Sequence, residues 1–301
     1  MKAPTHYFDI AFNLDHAGLL GAGATITSLL NHCSAPQELR LNFLHLDLAD
    51  YHQESIRQLL RRLNFRGEHR FLRFNVAEEL YLIPSFFDSY ANYGRLFLAE
   101  LLDGPRVLYL DTDLLVNCDV LPLRSFDLAG HLIGAVTRGP VANAYDRQFY
   151  QDRGWPKDTP YFNAGVLLFD LEAWRSAKIN QQWKAMVRQH ADAISCFDQT
   201  ILNGVFNGTF CHLPQQYNIP FNPASAPPAE TEGIYHFNGS PKPWDFLGAF
   251  LHKGYRAWRT TSPPSWETSL SIPRLDRWKR AWSIRRSILR FTQLSIKKRF
   301  G

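Results

Sequence analysis

Residues 106–116 read RVLYLDTDLLV, an apolar run that closes on Asp111-Thr112-Asp113 and then turns apolar again. Arg106 to Leu110 has the β-branched and aromatic content of a buried strand. Its weak alternation predicts a strand covered on both faces of a sheet. Two carboxylates one residue apart at the end of such a strand can converge on one cation. Left unpaired in a buried place, they would cost several kcal/mol per ion. A hard divalent metal with oxygen ligands, and open positions for phosphate, relieves that cost. A lone D-x-D triplet also arises by chance at a solvated strand end, so the rest of the chain has to carry the weight.

Working outward, strand-like and helix-like segments alternate. YFDIAFNL (7–14), LRLNFLHLDL (39–48) and HRFLRFNV (69–76) read as strands. Helical stretches follow them over Thr25 to Leu30, Ser55 to Leu63 and Tyr90 to Leu102. After the acidic triplet come LIGAVTR (132–138) and Tyr161 to Asp170 as strands, the latter with Asn163, Ala164 and Gly165 at its entrance. Helices are expected around Trp183 to His190 and from Phe197-Asp198-Gln199 onward, where Asp198 has the ordinary N-cap role open to it. Such alternation predicts an α/β fold with right-handed crossovers and a mostly parallel central sheet. Ligands in these folds bind beyond the carboxyl ends of the strands, so Asp15, Asp111 and Asp113 belong on one rim.

Gly18, Gly21 and Gly23 raise a competing reading, a dinucleotide-binding loop. Their order is G-x-x-G-x-G, not G-x-G-x-x-G, and only Asp47 stands near a ribose-binding place. Small residues that let the first helix pack closely on the sheet explain them more simply.

Composition narrows the class. Of 301 residues, 45% are hydrophobic and 20% charged, as in a globular protein with a sizeable core. Cys33, Cys118, Cys196 and Cys211 lie far apart with no C-x-x-C pair, which argues against a zinc site or a disulfide framework and suits a reducing compartment. Asp9 precedes any apolar run long enough for a signal peptide, and no stretch is long enough to span a bilayer, so a cytoplasmic location is expected. Of the net charge of +5, the segment from Arg274 to the end holds +9, leaving −4 on the rest. That body has no general nucleic-acid footprint.

The ordered set of a first strand ending in Asp15, YGRLFLAELL (93–102), VLYLDTDLLV (107–116), YFNAGVLLFDLEAWR (161–175), FDQTILNGVF (197–206) and HFNGSPKPW (236–244) resembles glycosyltransferase family 8. The likeness covers roughly residues 7 to 250. It implies a single A-type nucleotide-diphospho-sugar domain, a UDP-hexose donor, a divalent metal (Mn²⁺, or Mg²⁺) and retention of anomeric configuration. Carried onto this chain, it implies Asp111, Asp113 and His236 as metal ligands and Asp15 on the uracil ring. It further implies Arg95 and Gly239 on the donor, Lys242 on the diphosphate, and Asn163, Gly165, Asp198 and Gln199 around the donor sugar. Two departures stand out: His16-Ala17-Gly18 where the family often carries a second acid and then Asn or Tyr, and Val136-Thr137-Arg138 where an acidic residue is usual.

Residue chemistry agrees with that assignment. A metal together with Lys242 neutralises a departing diphosphate, and a neutral His236 adds affinity for Mn²⁺. Two mechanisms stay open: front-face departure and attack with the Gln199 amide oxygen stabilising developing positive charge, or double displacement with Asp198 as nucleophile. The expected activity is transfer of glucose or galactose to a glycolipid or oligosaccharide acceptor, above all a bacterial lipopolysaccharide core. The alternatives are a protein or soluble-glucan acceptor, or a binding module without turnover. On this view residues 1–262 are catalytic and 263–301 form a basic amphipathic tail. At about 100° per residue, Leu275, Trp278, Trp282, Leu289, Ile296 and Phe300 make one apolar stripe, flanked by Lys279, Arg286, Arg290 and Lys297. Such a helix is expected to lie on the anionic inner face of the cytoplasmic membrane.

Overall fold

The computed structural model describes residues 7–83, 85, 89–226, 231–271 and 274–300, with the backbone alone at 274, 275 and 293–300. Ten strands are described: β1 (Phe8–Asn13), β2 (Leu39–His45), β3 (Glu68–Arg73), β4 (Arg106–Leu110), β5 (Leu114–Asn117), β6 (Ile133–Pro140), β7 (Pro160–Asp170), β8 (Cys211–His212), β9 (Ile219–Pro220) and β10 (Gly233–His236). Seven form one sheet in the order β3-β2-β1-β4-β7-β6-β8, and β5, β10 and β9 form a second. The expectation of a mostly parallel sheet is met, with β7 running antiparallel to both β4 and β6.

The weak alternation of β4 has a direct cause. Leu108 and Leu110 enter one buried cluster with Ile10 and Phe12, while Val107 and Tyr109 enter a second cluster with Ala11. Apolar residues are therefore required on both faces, as in any sheet sandwiched between layers. The chain leaves β1 toward β2 and β3 and returns to the other side of β1 as β4. That reversal opens a crevice beyond the strand ends, where Asn13, Asp15, Tyr109 and Asp111 line one cavity. Because β7 is antiparallel, it enters the sheet at this same rim, and the Asp111 amide donates to the Gly165 carbonyl at 2.8 Å.

The Leu19–His32 helix is buried over Leu19–Leu30 and crosses directly behind the acidic triplet. A β-carbon on Gly21 would stand 2.3 Å from the Thr112 carbonyl oxygen, so close packing accounts for that glycine. The expected helix from Tyr90 to Leu102 is instead a 3-10 stretch over Ala91–Phe97 followed by one α turn, Leu98–Leu101. Its tight turn lays Gly94 against Asn13 and Phe74, where a β-carbon would meet Asn13 Oδ1 at 2.5 Å.

The packed body continues past the 262/263 division expected from the sequence. Trp266 and Leu270 belong to the cluster that covers β1 and β4, and Trp266 Nε1 donates to the Leu19 carbonyl at 2.9 Å. The single tail helix expected from the helical wheel is two helices, Arg274–Ser283 and Arg285–Phe300. Trp278, Trp282 and Leu289 are exposed at 65%, 69% and 61%. The side chains of Leu275, Ile296, Lys297 and Phe300, and part of the Pro-rich loop at 227–230, lie outside the described residues. Among the described residues no helix is long and apolar enough to cross a membrane.

Candidate active site

The carboxyl ends of β1 and β4 open into a cavity of about 1000 Å³. Its floor is the Asp111-Thr112-Asp113 turn. Thr25 of the first helix pins that turn: its hydroxyl lies 2.9 Å from the carbonyls of both Thr112 and Leu114. The second sheet then delivers the third ligand. β10 pairs antiparallel with β5 so that His236 faces Leu114, and the Phe237 amide donates to the Asp113 carbonyl at 2.9 Å.

Donor atoms of Asp111, Asp113 and His236 lie within 4.8 Å of one another. His236 Nε2 is 3.2 Å from Asp113 Oδ1 and 3.8 Å from Asp111 Oδ2. Its Nδ1 is 3.1 Å from Asn218 Oδ1, an acceptor for an Nδ1–H, which orients the ring so that Nε2 is the nitrogen turned toward the acids. Asp113 Oδ1 is buried and accepts no well-aligned hydrogen bond. Gly165 provides the clearance, since a β-carbon there would meet His236 Cε1 at 2.3 Å and Asp111 Oδ2 at 2.8 Å. Two carboxylates and an imidazole, with one carboxylate oxygen buried and unpartnered, fit a divalent cation of the Mn²⁺ or Mg²⁺ kind.

Charge balance explains how so many acids share one crevice. Lys242 Nζ lies 2.6 Å from Asp113 Oδ2 and also donates to the Phe237 carbonyl. Burial alone would raise the Asp113 carboxyl, but Lys242 and His236 outweigh it and hold it well below the usual carboxylate range. The Lys242 amide donates to Asp245, which anchors the loop that begins with Gly239 at φ +77°, a left-handed position suited to glycine. Asp15 lines the cavity, and its Oδ1 accepts from the Gly18 amide at 2.7 Å.

Arg95 departs most from its sequence reading. Expected on a helix and against the donor, it is 5% exposed in the 3-10 stretch. Its guanidinium lies 2.8 Å from Asp111, 3.0 Å from Asp198 and 4.2 Å from the centre of the Tyr109 ring, and also donates to the carbonyls of Asn92 and Ala164. With these partners, its main work is to stand between the two acids and offset their charge, although it also lines the cavity. Asp198 does not cap its helix. Its Oδ1 accepts from Asn92 Nδ2 at 2.8 Å, and burial raises its pKa while Arg95 opposes the rise. It follows Phe197, whose φ of +53° is strained for a non-glycine residue at a candidate catalytic position.

Gln199 is engaged on both ends of its amide. Its oxygen accepts from Asn163 Nδ2 at 2.9 Å and from the Ala164 amide at 3.0 Å, while its nitrogen donates to the Tyr161 hydroxyl at 2.6 Å. Asn163 Oδ1 accepts in turn from Gly165 and Asn218. Every residue proposed for the site lies in this cavity or against it. Asn92, Asn218, Tyr109 and Thr25 were not anticipated. Tyr109, which donates to Asp111 Oδ1 at 2.8 Å, carried the one available signal, since residues two apart on a strand share a face. Tail residues Trp278 and Arg280 line the cavity as well, and Arg280 pairs with buried Asp245 at 3.1 Å.

Known proteins resemble this arrangement in sequence and in fold. Lipopolysaccharide 1,2-glucosyltransferase of Escherichia coli K12 is 26% identical over 262 residues, covering 78% of this chain and 72% of the relative. Probable galacturonosyltransferase-like 3 of Arabidopsis thaliana is 30% identical over 198 residues, covering 60% of this chain and 56% of that protein. The solved galactosyltransferase LgtC, in complex with donor and acceptor sugar analogs, superposes with a TM-score of 0.71 at 26% identity, over 87% of this chain and all of that one. The profile of glycosyl transferase family 8 matches residues 9–248. The chain therefore belongs to glycosyltransferase family 8.

Proposed function

We propose that the protein is a metal-dependent, retaining hexosyltransferase that moves glucose or galactose from a UDP-sugar to a bacterial surface glycan, the lipopolysaccharide core. The observation that carries this reading is the Asp111–Asp113–His236 cluster in a cavity whose lining also includes Asp15, Asp198 and Gln199. A divalent cation there would neutralise the diphosphate leaving group. Lys242 adds a second positive charge at the same end. Asp15 would take the uracil ring, and Asn163 and Gly165 would border the sugar.

In the transfer, the bond from the anomeric carbon to the diphosphate oxygen breaks and a bond to the acceptor oxygen forms. The acceptor proton passes to the departing phosphate oxygen. Asp198 is held by Asn92 and Arg95, which favours this front-face route over attack by the carboxylate. Gln199, braced by Asn163 and Tyr161, holds the Asn163–Gly165 segment of β7 in place, so its contribution is to position that segment as much as to offer an oxygen to the sugar.

The exposed Trp282 and Leu289, with the cationic tail around them, support attachment to an anionic membrane surface at the cytoplasmic face, beside a lipid-linked acceptor. The test is release of UDP from UDP-glucose, UDP-galactose and UDP-N-acetylglucosamine with and without Mn²⁺. One donor should be turned over only with metal, and Asp113→Ala should abolish that turnover while leaving the circular dichroism spectrum intact. Wild-type activity of Asp113→Ala in excess EDTA would refute the metal assignment.

A further inference from the structure

Beside the main cavity is a smaller one of about 260 Å³, which shares Tyr145, Asn163 and Gln199 with it. Arg138 of β6 lines the small cavity. Its Nη2 donates to Asn218 Oδ1 at 2.9 Å, yet its Nε is buried without a partner. Among the described residues no carboxylate stands within ion-pairing distance of it. Every other guanidinium at the site is matched: Arg95 by Asp111 and Asp198, Arg280 by Asp245. The same small cavity is lined by Asn238, whose Oδ1 is also buried and unpartnered. A largely buried cation without an anion is costly, and the cost disappears when a ligand supplies the missing charge. A guanidinium fork is suited in particular to the two oxygens of a carboxylate or phosphate.

We propose that Arg138 binds the carboxylate or phosphate of an acidic sugar substrate, seated in the small cavity next to Asn163 and Gln199. This rests on the glycosyl-transfer reading: an acidic acceptor narrows its acceptor class, and an acidic donor would replace glucose or galactose by a hexuronate. The acidic group has two sources: the donor, as a hexuronate on UDP, or the acceptor, as a uronic acid or sugar phosphate. Asn238 would accept a hydroxyl of the same sugar. Arg138 is thus a specificity residue that lies two hydrogen bonds, both made to Asn218 Oδ1, from His236 of the candidate metal cluster.

The experiment compares the wild type with Arg138→Gln, which retains a donor for Asn218 but no charge, and Arg138→Lys, which retains the charge. In one arm Mn²⁺-dependent UDP release is measured from UDP-glucuronate and UDP-galacturonate against UDP-glucose and UDP-galactose. In the other, glucuronate and glucose 6-phosphate are set against glucose as acceptors for the best neutral donor. The wild type should prefer the acidic sugar in one arm, and that arm identifies the source. Arg138→Gln should lose this preference by about tenfold or more, the worth of a charge-assisted contact, with Lys intermediate and a smaller fall on neutral than on acidic sugars. No acidic preference in either arm, or an equal fall for acidic and neutral sugars with weakened Mn²⁺ binding, would overturn the proposal and leave Arg138 as a brace for Asn218. If the wild type releases no UDP from any donor, the transfer reading fails separately. Calorimetric binding of UDP-glucuronate, glucuronate and glucose 6-phosphate to wild type and Arg138→Gln then decides the matter, equal affinities counting against the proposal.

Discussion

Gly165 and His236 pack so closely that a single added methyl group would stand 2.3 Å from the imidazole Cε1. The strand that carries Asn163 and Gly165 and the strand that carries His236 are therefore fitted to each other at this one contact. Gly165→Ala is expected to push His236 off the Asp111–Asp113 pair and to lower Mn²⁺ affinity about 10- to 100-fold, as displaced ligand supports do elsewhere. Manganese titration followed by electron paramagnetic resonance measures it. Unchanged affinity would mean that His236 is not a ligand.

Arg95 joins Asp111 and Asp198 in a nearly solvent-free place, at 6% side-chain exposure for the arginine and 9% for Asp198. Arg95→Leu would leave the buried Asp198 and the part-exposed Asp111 without the cation that lies between them. Breaking such a network costs about 3–5 kcal/mol, which urea unfolding would register as a lower midpoint with little change in slope. A loss of activity with full stability would instead give Arg95 a direct role on the donor.

His252 offers a pH test away from the metal ligands. Its Nδ1 accepts from the Gly254 amide at 2.9 Å and its Nε2 is buried without a partner. Burial, with the Lys242 charge adding to it, pushes the imidazole down to about 3. The unfolded chain, with an ordinary histidine near 6.5, binds this proton more readily than the native chain between those two values. Stability from this group is therefore full above about pH 6.5 and falls as pH drops toward 3, by at most about 1.4 kcal/mol per unit. His252→Gln should flatten the fall between pH 7 and 4 in urea titrations. An identical pH slope in the variant would contradict a neutral buried imidazole.

Trp282 and Leu289 test the tail. Both are exposed, and neither lines the cavity. Trp282→Ser together with Leu289→Ser should weaken binding to anionic vesicles by roughly tenfold or more, from the apolar area withdrawn from the interface, and leave UDP-sugar hydrolysis unchanged. Equal sedimentation with vesicles for variant and wild type would exclude an interfacial helix.

Several of these features could be read from the chain and several could not, for physical reasons. β4 and its two acids announce themselves because a strand buried on both faces leaves an uninterrupted apolar run that only the acids end. The antiparallel entry of β7 has no such signature, since a core strand looks the same in either direction. His236 lies far along the chain from Asp113, and only the pairing of β5 with β10 makes them neighbours, so its role came from resemblance and not from spacing. Arg95 is expected on an α-helix and against the donor, but the segment winds at three per turn, and the carboxylates it neutralises arrive from two other elements. Asn92 and Asn218 gave no warning, because a lone asparagine is an ordinary polar residue until its partners are known. The tail's stripe assumed one straight helix, whereas the turn at Ile284 buries that residue to 5% exposure and divides the helix there.

The ion pair between Arg280 and Asp245 joins two events that would otherwise be independent. Asp245 holds the amide of Lys242, so the helix that bears the tail and the loop that would grip the diphosphate share one buried carboxylate. If a lipid surface alters the seating of that helix, it alters donor affinity by some factor. Thermodynamic reciprocity then requires a saturating donor to change affinity for the lipid by the same factor. An enzyme wired in this way would cling to the bilayer differently when loaded and when spent, and its residence there would track the supply of activated sugar.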